Sequence, residues 1–396
     1  MLELLSFVVL ALVAVILLII VIIMGIKFLY NKKKNLDSKK LIKKIKRVLF
    51  LMSFVILINI LLIIISQKTT TTPTIVDDFG NEIENSISEL ESVEINGKKE
   101  WISIRGKNKN NPILLFLAGG PGGSQMAAVR HDLAQLEDNF VVVNWDQPGS
   151  AKSYNAQKIS SITLETYIDD GIALSKYLVD RFNKEKIYLV GESWGSALGI
   201  YLVNENPNLF HSFIGTGQMI NFKETEIIDY KLALKIAKEN NDIKVVKDLE
   251  KNGVPPYYGK GVTMKSAIYL NYLTKQMNRN PKISNSGYST FRDVGSSEYG
   301  VLDKINYFRG IINTFNNVYQ QLYDIDLRDD IKKLDVPIYF FIGRHDINAP
   351  TELVEDYNNI LVAPENEIVW FENSGHSPWI NESDKFIKEV LNKNSN

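Results

Sequence analysis

Gly191-Glu192-Ser193-Trp194-Gly195 follows the apolar run Ile187–Val190 and opens a stretch of helical periodicity. A G-x-S-x-G in that position reads as a nucleophile elbow, with glycines flanking the serine because a strained strand-to-helix turn leaves no room for side chains. A serine hydroxyl is a weak nucleophile at neutral pH and needs a base, which in turn needs an orienting carboxylate. Four histidines are available. His131 falls in an exposed helical stretch, His211 begins a strand, and His345 adjoins Asp346 so that the two side chains point apart. His376 lies in a loop after the last apolar run, and Asp346 ends the run before that one. The chain order Ser, Asp, His therefore selects Ser193, Asp346 and His376 as the catalytic candidates. The oxyanion of acyl transfer needs two backbone N–H donors. Trp194 supplies one. The glycine-rich AGGPGG at 118–123 supplies the other, from Gly120 in preference to Gly119. The same loop lacks the Lys-Ser/Thr and the spacing of a phosphate cradle.

These residues call for a sheet to carry them. PILLFLAGG, FVVVNWD, KIYLVGES, FHSFIGTG, PIYFFIG and EIVWFE are near-continuous apolar runs of the kind buried on both faces of a parallel sheet. Helical periodicity separates most of them, as at 164–182, 193–205 and 351–361, so a doubly wound α/β fold is expected. Before it, ESVEI-NGK-KEWISI reads as a hairpin about Asn96-Gly97. Residues 221–335 break the alternation with amphipathic helical patterns and no strand, an inserted helical cap. The core is then 78–220 with 336–396.

The first 66 residues have a different character. Leu4–Ile26 and Val48–Ser66 contain no charge over 23 and 19 positions, each long enough to span a bilayer. A cleaved signal peptide would have a shorter apolar stretch, and Glu3 sits where its basic region would be. The intervening loop 31–47 holds eight Lys and Arg47 against one Asp. The positive-inside rule puts that loop in the cytoplasm and the rest of the chain outside, a two-span membrane protein with an extracytoplasmic domain. Asn59 in the second span reads as a tolerated polar residue. Residues 67–77 form an extended spacer.

Residues 1–47 carry +8, leaving −9 for residues 67–396 of a chain whose formal charge is −1. An acidic main body argues against nucleic acid, so the expected partners are the bilayer and a small substrate. With no Cys there is no disulfide, no thiolate metal site and no cysteine nucleophile. No cofactor or metal is called for.

Together AGGPGGS (118–124), WDQPGSAKS (145–153), GESWGSALG (191–199), GRHD (343–346) and GHSPW (375–379) resemble the α/β-hydrolase fold, and within it the proline iminopeptidase-like family, over residues 92–396. The resemblance implies a serine aminopeptidase acting through an acyl-enzyme. Three positions depart from the family pattern: Ala118 replaces a His, Pro148 an Arg and Glu192 a Gly. In such enzymes acidic residues bind the substrate's α-ammonium, and one often follows the triad Asp; here Ile347 does. Glu224 and Glu226, at the start of the cap, are the substitutes considered, beside a plain solvated helix start. Glu192 also resembles the elbow Glu of serine carboxypeptidases, which holds a substrate carboxylate, and equally reads as a structural polar residue. A carboxylesterase uses the same machinery, and a binding protein on a hydrolase scaffold is the non-enzymatic alternative.

Overall fold

The apolar runs become strands. In a computed structural model describing residues 2–285 and 287–394, eight strands form one sheet: β1 (Ile87–Ile95), β2 (Lys98–Gly106), β3 (Ile113–Leu117), β4 (Val141–Asp146), β5 (Ile187–Glu192), β6 (Phe210–Thr216), β7 (Ile338–Gly343) and β8 (Asn366–Phe371). Their order is β1-β2-β4-β3-β5-β6-β7-β8. β3 to β8 pair in parallel, while β1 and β2 are antiparallel. Asn96 and Gly97 turn that hairpin with φ of 48° and 76°, the left-handed pair such a two-residue loop requires.

The described chain divides into two units: Met1–Thr71 with Val294–Ile305, and Thr72–Asp293 with Asn306–Asn396. In the first, α1 (Leu2–Lys33) and α2 (Lys39–Lys68) run antiparallel, since Ser66 Oγ donates to Glu3 at 2.7 Å and Asn59 Nδ2 to the Phe7 carbonyl at 3.5 Å. Leu12, Ile16, Ile19, Ile23, Leu57 and Ile64 are exposed, an all-round apolar surface that suits lipid. Both helices are long and apolar enough to cross a membrane. They extend past the uncharged stretches, and the basic segment read as a loop is helical except at 34–38. Lysine is a good helix former, and Asp37 Oδ1 accepts the Lys39 N–H at 2.9 Å as that helix begins. Residues 294–305, within the stretch read as the cap, bind the far end of α2. Ser66 Oγ accepts the Val301 N–H (3.0 Å) and Gln67 Oε1 the Leu302 N–H (3.1 Å). Gln67 Nε2 donates to Asp303 (3.1 Å), and the Thr71 N–H to the Ser297 carbonyl (3.1 Å).

In the second unit, helices cover both faces of the sheet. α3 (Met126–Asp132) and the helix Ser383–Lys393 bury Phe116, Tyr188, Phe341 and Phe386 on one face. On the other, α4 (Leu164–Phe182) and α5 (Trp194–Glu205) bury Leu115, Leu174, Leu189, Leu202 and Phe213. α6 (Phe222–Glu239), α7 (Ile243–Asn252) and α8 (Val262–Met277) have their own apolar centre at Tyr230, Ala237, Leu249 and Tyr269. A buried acid ties the hairpin to α4. Glu100 on β2 accepts the Trp145 indole N–H at 2.8 Å, and Asp170 on α4 accepts Asn96 at 2.8 Å and pairs with Lys98. Burial first, and then the charge of Asp170, push the Glu100 carboxyl up to about 9.

Candidate active site

β5 ends at the elbow. Ser193 has φ 54° and ψ −120°, a conformation that costs an L-residue roughly 1–3 kcal/mol and is held by its N–H donating to the Thr216 carbonyl at 3.0 Å. The flanking glycines are obligatory: a Cβ on Gly191 would lie 2.2 Å from the Gly195 carbonyl oxygen, and one on Gly195 2.3 Å from that of Leu117. The turn points into a cavity of about 140 Å³ whose lining includes Ser193, Trp194, Gly120 and His376.

His376 Nδ1 lies 2.9 Å from Asp346 Oδ2. The pair fixes the proton on Nδ1 and leaves Nε2 as the basic nitrogen. Asp346 is itself held, its Oδ1 accepting the N–H groups of Asn348 at 2.8 Å and Ala349 at 3.0 Å. Burial lowers the imidazole's affinity for a proton, but the charge and hydrogen bond of Asp346, together with Glu192, outweigh it and raise His376 to about 9. Asp346 thus pairs with His376 and not with its neighbour His345, whose N–H donates to the Ser374 carbonyl at 2.9 Å.

Gly119 and Gly120 are distinguishable. The Gly119 N–H donates to Gln125 Oε1 at 3.2 Å, whereas that of Gly120 has no partner among the described residues and Gly120 borders the cavity. Trp194 is the first residue of α5, where backbone N–H groups lack helical acceptors.

Glu192 is buried, and four side chains donate to it. Oε1 takes Ser377 (2.5 Å) and Trp379 (3.0 Å), and Oε2 takes Gln125 and Tyr288. It therefore links the residues after His376 to the loop carrying Gly119. Glu224 pairs with Arg328, and Asn221 caps its N–H at 2.8 Å; none of these contacts involves the cavity of Ser193. Glu226 is fully buried and accepts from Ser266 (3.2 Å), Tyr269 and Tyr319 (2.8 Å), and Tyr319 lines the Ser193 cavity. Burial raises Glu226 to about 7 against those hydrogen bonds.

Sequence reasoning missed several residues. Asp229, one turn after Glu226 on α6, is fully buried, and neither carboxylate oxygen has a partner among the described residues. Burial, then Glu226, then Asp346 hold its carboxyl well above the usual range. Only the three-residue spacing from Glu226 signals it. Gln147 accepts the Trp194 indole N–H at 3.0 Å and donates to the Ala118 carbonyl at 3.0 Å, tying the elbow to the glycine loop; the motif WDQP contains it. Gly217, with φ 52°, lies against His376, so an added Cβ would meet the histidine's carbonyl oxygen at 2.7 Å and its ring at 2.9 Å.

A model of the alpha/beta hydrolase fold matches residues 112–383. The chain is 32% identical over 313 residues to a probable aminopeptidase, YbaC, of Bacillus subtilis, spanning 78% of this chain and 96% of that one. It is 23% identical over 321 residues to a proline iminopeptidase of Chitinophaga pinensis, spanning 75% and 96%. The crystal structure of a proline iminopeptidase-related protein from Thermus thermophilus shares the fold, with a TM-score of 0.55 at 17% identity over 77% of this chain and 96% of that one. From the sheet, the elbow and these matches together, the chain belongs to the alpha/beta hydrolase fold family and is a hydrolase with peptidase-named relatives.

Proposed function

We propose that the protein is a membrane-anchored serine aminopeptidase of the proline iminopeptidase type, acting outside the cytoplasm on small peptides or amides with a free N-terminus. Ser193 Oγ attacks the scissile carbonyl as His376 Nε2 takes its proton, and the N–H groups of Gly120 and Trp194 hold the oxyanion. His376 then protonates the leaving nitrogen, the acyl-enzyme forms, and water releases the acid by the same steps in reverse order. Asp346 keeps His376 in its tautomer. α1 and α2 span the membrane with the basic segment inside, residues 78–220 and 336–396 form the catalytic core, and 221–335 form the cap.

The observation that carries the aminopeptidase reading is the pair of fully buried acids on α6, Glu226, which accepts from Tyr319 of the Ser193 cavity, and Asp229, whose carboxylate has no partner among the described residues. A buried carboxylate without a partner costs several kcal/mol unless it is protonated or meets a cation. Tyr319 lines the Ser193 cavity and donates to Glu226, so a substrate α-ammonium in that cavity would lie on the side of these two buried acids. Glu224 is left to cap α6 and pair with Arg328. A carboxylesterase is the second reading, supported by the apolar walls of the Ser193 cavity, Met219, Phe222, Leu270 and Phe315.

Full-length protein in detergent, offered proline arylamide with its amine free or acetylated and a short acyl ester, distinguishes the two. Cleavage lost in Ser193→Ala and confined to the free amine is expected. Asp229→Asn should lower kcat/KM for that compound by about 100-fold, the scale of one lost charge-assisted contact. Equal cleavage of acetylated and free amides, or of the ester alone, would replace the aminopeptidase with an esterase or general amidase.

A further inference from the structure

The helix Val301–Arg309 runs on through the π-helical turn Gly310–Thr314 into Phe315–Val318. Part of this run is held by the fold. Gly310 packs so closely on Gly122 that a Cβ there would lie 2.4 Å from the Gly122 carbonyl oxygen, and Thr314 Oγ1 donates to the Gly149 carbonyl at 2.7 Å. Phe308, Ile311 and Ile312 form an outer ridge, each 40–48% exposed. Thr263 Oγ1 donates to the Ile312 carbonyl at 2.8 Å, which sets the first turn of α8, with Met264 67% exposed, against that ridge. The Gly259 N–H donates to Gln320 Oε1 at 3.0 Å, so that exposed Tyr258 follows in the same row. Single exposed apolar side chains are ordinary, but five on adjoining segments of a folded surface mark a docking face. Lys260, Lys265 and Arg309 stand among them. The Lys265 ammonium lies 5.1 Å from the centre of the Tyr257 ring and the Arg309 guanidinium 4.4 Å from that of Tyr154, contacts that leave both charges in place.

We infer that this face rests on the anionic lipid surface of the bilayer that α1 and α2 cross, with its apolar side chains in the boundary between headgroups and acyl chains and its cations among lipid phosphates. The inference rests on the membrane-spanning part of the reading above. Apolar side chains interleaved with Lys and Arg are the composition of an element that lies in the interface with anionic lipid. Chain continuity supplies the same address. Val301, the first residue of the run, donates its N–H to Ser66, at the end of the second apolar stretch. Phe308 follows seven residues later, about 10 Å of helix, so the ridge begins within reach of the headgroup layer that α2 leaves. Phe315, one turn beyond Ile311, lines the Ser193 cavity, so docking brings that cavity to the lipid surface.

The chain has no Cys, so a single substitution to Cys takes a fluorophore at one chosen place. Full-length protein is reconstituted into bilayers of phosphatidylcholine and phosphatidylglycerol whose acyl chains carry bromine near the headgroup. Labels at Ile312→Cys and, independently, Met264→Cys should be quenched roughly two-fold, since a side chain docked about 5–10 Å deep touches those carbons. A label at the exposed Lys332→Cys, outside the face, should keep its fluorescence. Phosphatidylcholine alone, or Lys260→Glu combined with Lys265→Glu, should remove most of the quenching at 312. Quenching at 312 and 264 no greater than at 332, or unaltered by either change, overturns the inference. So does a label at 312 that is shielded from aqueous iodide without being quenched by lipid, which would assign the face to a second copy or another protein. A Leu57→Cys label, with bromine deep in the acyl chains, reports the spanning helices separately. Quenching at 57 with none at 312 rejects the docking alone, and none at either rejects the membrane reading with it.

Discussion

At Glu192 a single carboxylate connects three parts of the candidate site: Ser377 and Trp379 beyond the histidine, Gln125 beneath the glycine loop, and Tyr288. It also adds negative charge near His376, after Asp346 the other group raising that ring's proton affinity. A base must be neutral to accept a proton, so kcat/KM should rise with pH towards the His376 value of about 9. Glu192→Gln removes the charge and should move that ascending limb to lower pH. It also places an NH2 where only acceptors fit, and kcat should fall about ten-fold. A pH profile with the limb unmoved would show that Glu192 has no electrostatic part in the site. Asp346→Asn should cost about 10⁴-fold in kcat with the fold intact by circular dichroism, because the amide no longer fixes the tautomer. Ser193, Asp346 and His376 are legible as candidates in the sequence because each follows an apolar strand, and strands buried on both faces are the plainest signal a sequence carries. Asp229 is not legible. In a Lys-rich helix an aspartate reads as solvated, and only the packing of α6 in the folded unit buries it. Glu192 was ambiguous for a related reason, since its four donors come from positions 125, 288, 377 and 379, far apart in the chain.

Among the elements, the β1–β2 hairpin is the clearest case of sequence dictating structure: alternating residues about Asn-Gly give the turn and the register. What the alternation does not reveal is that Glu100 faces inwards against Asp170. Its raised carboxyl binds a proton in the folded protein at a pH where the unfolded chain has lost it. The stability it contributes is therefore complete below about pH 4.5 and is lost as pH rises towards about 9. Glu100→Gln keeps an acceptor for the Trp145 indole and has nothing to ionise. Its melting temperature should fall less than that of the wild type between pH 5 and 9; parallel curves would place the ionisation elsewhere. The segment after α1 shows the opposite limit of sequence reading. Lysines suggested a loop by their charge, yet they favour helix by their straight side chains, and α2 starts at Lys39.

On the scale of the whole molecule, the split of charge between a basic N-terminal part and an acidic remainder makes orientation testable. Protease added to intact cells should cut within 67–77 or in the cap, and cleavage only after lysis would reverse the topology. The other large-scale feature is the set of hydrogen bonds joining residues 294–305 to Ser66, Gln67 and Thr71. Its consequence concerns biogenesis. The hairpin is synthesised first and residues 294–305 more than two hundred residues later, so the donors and acceptors for that segment are already in place when it emerges. The helical pair then serves as a template against which part of the chain completes its backbone hydrogen bonds. Exchanging it for an unrelated pair of apolar helices would leave Val301 and Leu302 without the acceptors that Ser66 and Gln67 provide.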